Sequence, residues 1–356
     1  MDKDRIVVVG GYGAVGSIVC RELGYRFPGK VYAAGRSLER AEQLSRETEG
    51  RVLPMQLDIS RPVDPKLLEG VKLVVMCLDQ KDVSFVRTCL LSGAHYIDVS
   101  ANISFQAQVE ALQKEAERGG ATAVMNVGLA PGVTNLLALE ACRRLDRTEA
   151  IEITILLGLG DRHGKAALEW TVDNLGTRFE IIKKGRSEMV GSFTDARLAD
   201  FRGAIGRRSA YRFPFSDQRS LPSTLGVPDV STRLCLDPAF ITAFLAGFRK
   251  LGLHRLLRLK PLRAAAIACF GRMHLGSERF AVQVEAVGEK DGRMAAAVYR
   301  LQGRRQSELT AFCALDASEA VCGSTMPAGV FSIEQLFDWK RMSRLSREEL
   351  EVEIRS

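Results

Sequence analysis

No stretch of this 356-residue chain is apolar for long enough to span a bilayer, which argues against an integral membrane protein. The eight cysteines are scattered, with no C-x-x-C pair and no histidine pair nearby, which argues against a structural zinc site or a disulfide scaffold. Several of them sit in apolar patterns, as buried free thiols of a reducing cytoplasm do. The opening Met1-Asp-Lys-Asp-Arg5 lacks the features of a secretory signal, so a cytoplasmic location is expected. No internal repeat or low-complexity segment is present, and no nucleic-acid motif with interleaved aromatics accompanies the net charge of +7. That charge suits an anionic small molecule instead. At 46% hydrophobic and 26% charged residues, the composition is that of a soluble globular protein long enough for two domains.

What is present is concentrated near the start. In Arg5-Ile-Val-Val-Val-Gly-Gly-Tyr-Gly-Ala-Val-Gly16 a β-branched run reads as a buried strand, and Val15, Ile18, Val19 and Leu23 then recur at helical spacing. Between them Gly11, Gly13 and Gly16 form G-x-G-x-x-G. Gly11 is expected to allow the tight turn, Gly13 to admit a pyrophosphate to the backbone, and Gly16 to let the helix pack on the strand. The loop Gly11, Tyr12, Gly13, Ala14, Val15 and Gly16 then becomes a diphosphate cradle, helped by the positive end of the helix.

A further absence bears on cofactor choice. An NAD site usually ends its second strand in Asp or Glu, but here Lys30–Ala34 is followed by Gly35-Arg36-Ser37. Arg36 can clamp a 2′-phosphate and Ser37 can donate to it while capping the next helix, so NADP(H) is preferred over NAD(H). Further strands at 51–58, 72–78, 94–99 and 121–127 alternate with helices, which predicts a doubly wound parallel sheet of Rossmann type. Strand ends place Asp58 near an adenine, and Cys77, Leu78 and Asp79 on the nicotinamide side, with Ser100 a further hydroxyl candidate for cofactor binding. Asp58 reads equally as a loop staple. Asp79 and Asp98 are candidates to hold a substrate amine, or caps of the turns that follow.

Gly128-Leu-Ala-Pro-Gly132 breaks the pattern and reads as a hinge. The expected division is 1–130 plus 316–356 for the dinucleotide domain and 131–315 for an inserted substrate and dimerisation domain of α+β type with a largely antiparallel sheet. The charged tail 344–356 is expected to fray, and the stretch from Gly329 to Trp339 to be helical. Residues 238–275 are apolar and basic. A helix packed on the sheet or at a subunit contact is the first reading; a membrane partner is not expected, and this stretch is the only hint of one.

Val8–Gly16, Tyr96-Ile-Asp-Val-Ser100, the hinge 128–132 and Gly329-Val-Phe-Ser-Ile-Glu334 together resemble the saccharopine dehydrogenase (glutamate-forming), or saccharopine reductase, family. Ala130 stands where that family's hinge commonly has Asp, and Trp170-Thr171 where it often has Trp-Ser. The resemblance implies an NADP-binding Rossmann domain with an inserted α+β domain, and a homodimer. It implies a carboxylated amine or amino-acid substrate, with a hydride used to make or break a C–N bond. Hydride transfer to an imine needs a proton donor and cations for the substrate carboxylates. His163, in a polar glycine-flanked loop, is the best titratable candidate among four histidines. Trp170 and Thr171 are candidate substrate contacts. Arg212, Arg219 and Arg233 are candidate carboxylate clamps, Arg233 first among them. Two other readings compete: the same fold reducing C=O or C=C, and a non-catalytic cofactor-binding or lipid-surface member.

Overall fold

The computed structural model describes residues 3–100, 102–160, 165–272 and 276–355. Two compact units emerge: residues 1–133 with 307–345, and 134–306 with 346–356. The first begins with β1 (Arg5–Val9) and α1 (Ala14–Arg26), then β2 (Val31–Gly35), α2 (Leu38–Glu47) and β3 (Val52–Gln56). β4 (Val71–Met76), α3 (Ser84–Leu91), β5 (His95–Asp98), α4 (Ile103–Glu110), α5 (Gln113–Gly119) and β6 (Thr122–Met125) complete its first pass. The helical stretch between β5 and β6 is broken at Ala111–Leu112, where Leu112 turns into the core.

Strands β3-β2-β1-β4-β5-β6 lie parallel in that order, so the chain reverses direction across the sheet between β1 and β4. Ligands of such sheets bind at the carboxyl ends of the strands beside that switch point. The strands are near-continuous Val, Leu and Ile because helices cover both faces of a parallel sheet. Val7, Val9, Val74 and Met76 pack against Phe85, Val86, Phe105 and Val109 in one buried cluster. Each such side chain contributes about 1.5–3 kcal/mol relative to leaving it in water.

The second unit starts at α6 (Thr134–Cys142) and β7 (Arg147–Gly158), followed by α7 (Lys165–Asn174) and the hairpin β8 (Arg178–Lys183) and β9 (Arg186–Gly191). Next come β10 (Arg197–Asp200), β11 (Arg207–Arg212), α8 (Asp217–Thr224), β12 (Val230–Asp237), α9 (Ala239–Lys250), α10 (Lys260–Arg272), β13 (Arg279–Lys290) and β14 (Arg293–Arg304). The chain closes with α11 (Gln306–Gly323), β15 (Gly329–Ser332), α12 (Ile333–Leu336) and β16 (Leu350–Arg355). The second sheet runs β10-β11-β12-β7-β13-β14-β16 and is largely antiparallel, with β12 parallel to β7.

Two expectations about the tail are corrected. Gly329–Ser332 is a strand that pairs with β6 in parallel, not the start of a helix; the helix begins after Ser332. Leu350–Arg355 does not fray but forms the last strand of the second sheet. Its charge is what anchors it. The Glu353 carboxylate accepts from Arg300 Nη1 at 2.9 Å and from Arg202 Nη2 at 3.0 Å, and Arg300 is itself 1% exposed. The tail from 346 onward therefore belongs with the second unit, and the units part at 133/134 and 306/307 instead of 130/131 and 315/316.

The bonds from Arg355, then from Arg300, hold the Glu353 carboxyl down at about 2. Its folded value lies below the unfolded reference of about 4.3. Its stabilising contribution is therefore complete above the unfolded value and is lost as pH falls toward the folded one. Acidification from pH 5 to pH 3 should speed amide exchange in β16 in the wild type, and Glu353→Gln should exchange fast and nearly alike at both pH values once intrinsic rates are corrected.

Candidate functional site: the carboxyl edge of the first sheet

The turn after β1 is built by glycines because nothing larger fits. Gly10 carries φ of +80°, so the residue that needs the left-handed region is Gly10 and not Gly11. Gly11 is instead pressed against β2: a Cβ there would lie 2.8 Å from Ala33 Cα and 2.9 Å from Cys20 Sγ. At Gly16 a Cβ would lie 2.2 Å from Gly10 O, so the helix can pass the turn only without a side chain. A Cβ at Gly13 would meet only Gly10 O, at 3.1 Å, so its outer side is open. α1 begins at this point with no side-chain cap and no acid in its first turn. Its leading N–H groups therefore have no side-chain acceptor, which suits an anion.

At the end of β2 lies a cationic corner. Ser37 caps α2, its Oγ accepting from Arg40 N at 3.3 Å, and its own N–H donates to Tyr12 Oη at 3.0 Å. The Arg40 guanidinium lies 4.6 Å over the Tyr12 ring and donates to Tyr12 O at 3.4 Å. Arg36 is exposed beside them, its carbonyl accepting from Gln56 Nε2 at 3.1 Å. Tyr12 thus ties the glycine turn to the Arg36–Ser37 corner. Sequence reasoning does not single out Arg40; the available signal is its position three residues after the cap, where a first-turn side chain lies beside the strand end.

Asp58 accepts from Ser60 Oγ at 2.6 Å and Ser60 N at 3.1 Å, bonds that lower its pKa, so it staples its own loop. At the end of β4, Leu78 is 40% exposed and lies over Gly10, while burial, reinforced by the Asp98 carboxylate, pushes the Cys77 thiol up to about 12. Cys77 is therefore a neutral wall residue at physiological pH. Ala14 and Asp79 are exposed at this edge, and Tyr12, Gly13 and Val15 are half-buried.

Asp98 is fully buried, accepting from Tyr96 Oη at 2.5 Å and Ser100 N at 2.7 Å, with Gln80 Nε2 donating to Tyr96 Oη at 2.6 Å. Burial raises its pKa against these bonds. A carboxylate so enclosed shapes the β5 turn and is not presented to a substrate amine, which corrects that expectation. Asp98→Ala should cost about 2–3 kcal/mol in urea unfolding, because Tyr96 Oη and Ser100 N–H lose their buried acceptor. Close by, the Ser100 hydroxyl also acts on the Asp98 carboxylate, and Gln80 Oε1 is buried without a partner among the described residues.

In the second unit two candidates are absorbed by packing. Trp170, half-buried, meets an aromatic cluster edge-on and tilted, its ring centroid 5.0 Å from Phe213 and 5.2 Å from Phe215. Arg233 is 4% exposed and donates to Asp195 Oδ2 at 2.7 Å, to Ser231 Oγ at 2.8 Å and to Glu152. Its guanidinium is fully engaged inside the sheet, so the expectation of a carboxylate clamp is corrected. Arg212 joins the same network, donating to Asp195 at 2.6 Å. Thr171 is half-buried on α7. His163 lies outside the described residues. No group of His, Cys, Asp and Glu arranged to hold a metal is present among the described residues, and no described helix is long and apolar enough to cross a membrane.

Residues 6–124 match the family model described as the saccharopine dehydrogenase NADP binding domain. Among solved structures, an apo histidine-tagged saccharopine dehydrogenase (L-Glu forming) from Saccharomyces cerevisiae aligns over 98% of this chain and 100% of its own, at 13% identity and a TM-score of 0.65. An amine dehydrogenase from Mycobacterium smegmatis aligns over 93% of this chain and 96% of its own, at 12% identity and a TM-score of 0.48. Residues 6–124 are thus similar to that family's dinucleotide domain, and the chain as a whole shares the fold of the yeast saccharopine dehydrogenase structure.

Proposed function

We propose that this protein is an NADP(H)-dependent oxidoreductase that makes or breaks a C–N bond in an amino-acid-derived substrate, reducing an imine to a secondary amine or the reverse. The observation that carries the cofactor half is the corner after β2. Gly35-Arg36-Ser37 stands where an acid would bond an unphosphorylated ribose, and Arg36 and Arg40 supply two cations beside the Ser37 N-cap. The backbone of Gly11, Gly13 and Gly16 and the start of α1 hold the diphosphate. Cys77, Leu78 and Ser100 line the side where the nicotinamide rests.

When bound, the reduced dinucleotide supplies a hydride. The chain's own contribution is orientation and proton handling. Ser100 helps to fix the Asp98 turn beside the site, and the exposed Asp79 carboxylate is the proposed holder of a substrate cation. His163 is the proposed proton donor and Thr171 a proposed substrate contact. Support for C–N chemistry comes from the fold shared with a saccharopine dehydrogenase. A matrix of amino acids and α-keto acids with NADPH, followed by absorbance loss, tests it. Turnover on at least one amine–keto acid pair is expected; turnover confined to simple ketones or enones would contradict it.

A further inference from the structure

Between Pro238 and Ser277 the chain contains no Asp or Glu, yet it carries seven Lys and Arg. Within this run α9 has one face fixed inward. Ile241, Thr242 and Leu245 are buried, and Thr242 Oγ1 accepts from Leu236 N at 2.8 Å, which sets the helix's rotation against β12. The opposite face is therefore held outward, and it is aromatic. Phe240 and Phe244, one helical turn apart, are 62% and 64% exposed. Phe248 continues the stripe, its ring stacked 6.1 Å from that of Phe244, and Leu251 follows at 76% exposed. The 3-10 helix Leu253–Arg258 buries none of its residues, and Leu256, Leu259 and Leu262 are also exposed.

A helix of a globular protein normally turns its apolar stripe inward. Here both faces of α9 are apolar, and the chain that follows carries the exposed cations Lys250, Arg255, Arg258 and Lys260, which have no ion pair among the described residues. Exposed aromatic and leucine side chains in a segment that holds Lys and Arg and no acid of its own, with Arg263 alone paired among the described residues, to Asp173 of α7, match the boundary of an anionic bilayer, where rings and leucines enter the acyl edge and cations meet phosphates. A second copy of the same face fits poorly, because it would set cation against cation. No described helix is long and apolar enough to span, so the proposed contact is a seat on the surface.

We propose that α9 and the basic segment through Leu262 form a docking surface for anionic membranes, a property independent of the cofactor site. The test is flotation of the intact protein with vesicles of phosphatidylcholine alone or mixed with phosphatidylglycerol. The wild type is expected to float with the mixed vesicles and to remain in solution with the neutral ones, with added salt weakening the association. Phe240→Ser with Phe244→Ser should lower the bound fraction about tenfold. Lys250→Ser with Arg255→Ser should lower it while leaving the apolar stripe intact. Both double variants change exposed positions, and an unaltered urea midpoint verifies their fold. The proposal is overturned if the wild type ignores anionic vesicles or if both double variants float as well as the wild type. It is equally overturned if the wild type stays in solution as a dimer that the double phenylalanine variant separates.

Discussion

Arg36→Asp is expected to weaken NADPH binding by about 100-fold while changing NADH binding by less than about threefold, as loss of a charge-assisted phosphate clamp requires. A charge-assisted hydrogen bond is worth about 1.5–3 kcal/mol, and each 1.4 kcal/mol is a factor of ten. Arg36 is exposed beside the Ser37 N-cap, so its replacement removes a ligand contact without disturbing the core. Parallel fluorescence titrations with the two reduced nucleotides read the difference. Equal losses for both would show that Arg36 meets no 2′-phosphate. Arg40→Ala should act in the same direction but more weakly, since Arg40 is partly occupied with Tyr12.

The second large effect separates two glycines of one motif. Gly16→Ala drives a Cβ to within 2.2 Å of Gly10 O, a backbone atom that cannot rotate away. The expected result is a loss of about 3 kcal/mol in urea unfolding together with loss of NADPH binding, at the upper end of overpacking costs. Gly13→Ala adds a methyl that meets only Gly10 O, at 3.1 Å, so the fold should survive within about 1 kcal/mol. Its methyl projects where a diphosphate approaches the helix start, and NADPH binding should still fall at least about tenfold. If Gly13→Ala bound NADPH as the wild type does, the diphosphate would not pass over Gly13.

The first sheet is legible because its signals are local. Runs such as Ile6–Val9 and Leu73–Met76 are buried on both faces and so read as unbroken apolar strands. The glycine motif and the missing acid after β2 likewise lie within a few residues of the elements they serve. The second unit is written in long-range partners instead. Arg233 and Asp195 are 38 positions apart, and Arg233 and Glu152 are 81 apart, so nothing near Arg233 announces that its charge is already paired. An arginine in mid-strand, as in β12, looks like a surface residue until its carboxylates are found. β16 reads as a fraying tail because Glu351, Glu353 and Arg355 dominate its composition. In the sheet it is those glutamates that meet the buried Arg300, while Val352 and Ile354 face out. The ring contacts of Trp170 with Phe213 and Phe215 are equally illegible, because those partners lie far along the chain. The aromatic face of α9 illustrates the converse. The apolar and basic composition is plain, but which side of the helix is spoken for depends on the Thr242 bond to β12.

Everything proposed for the first unit depends on a dinucleotide diphosphate resting on the turn between β1 and α1. Calorimetric titration of the wild-type protein with NADPH, and separately with NADH, tests that most directly. The account predicts saturable binding of one NADPH per chain, tighter than NADH by at least about tenfold, as two cations at the 2′-phosphate corner imply. Absence of heat with either nucleotide, or preference for NADH, would contradict it.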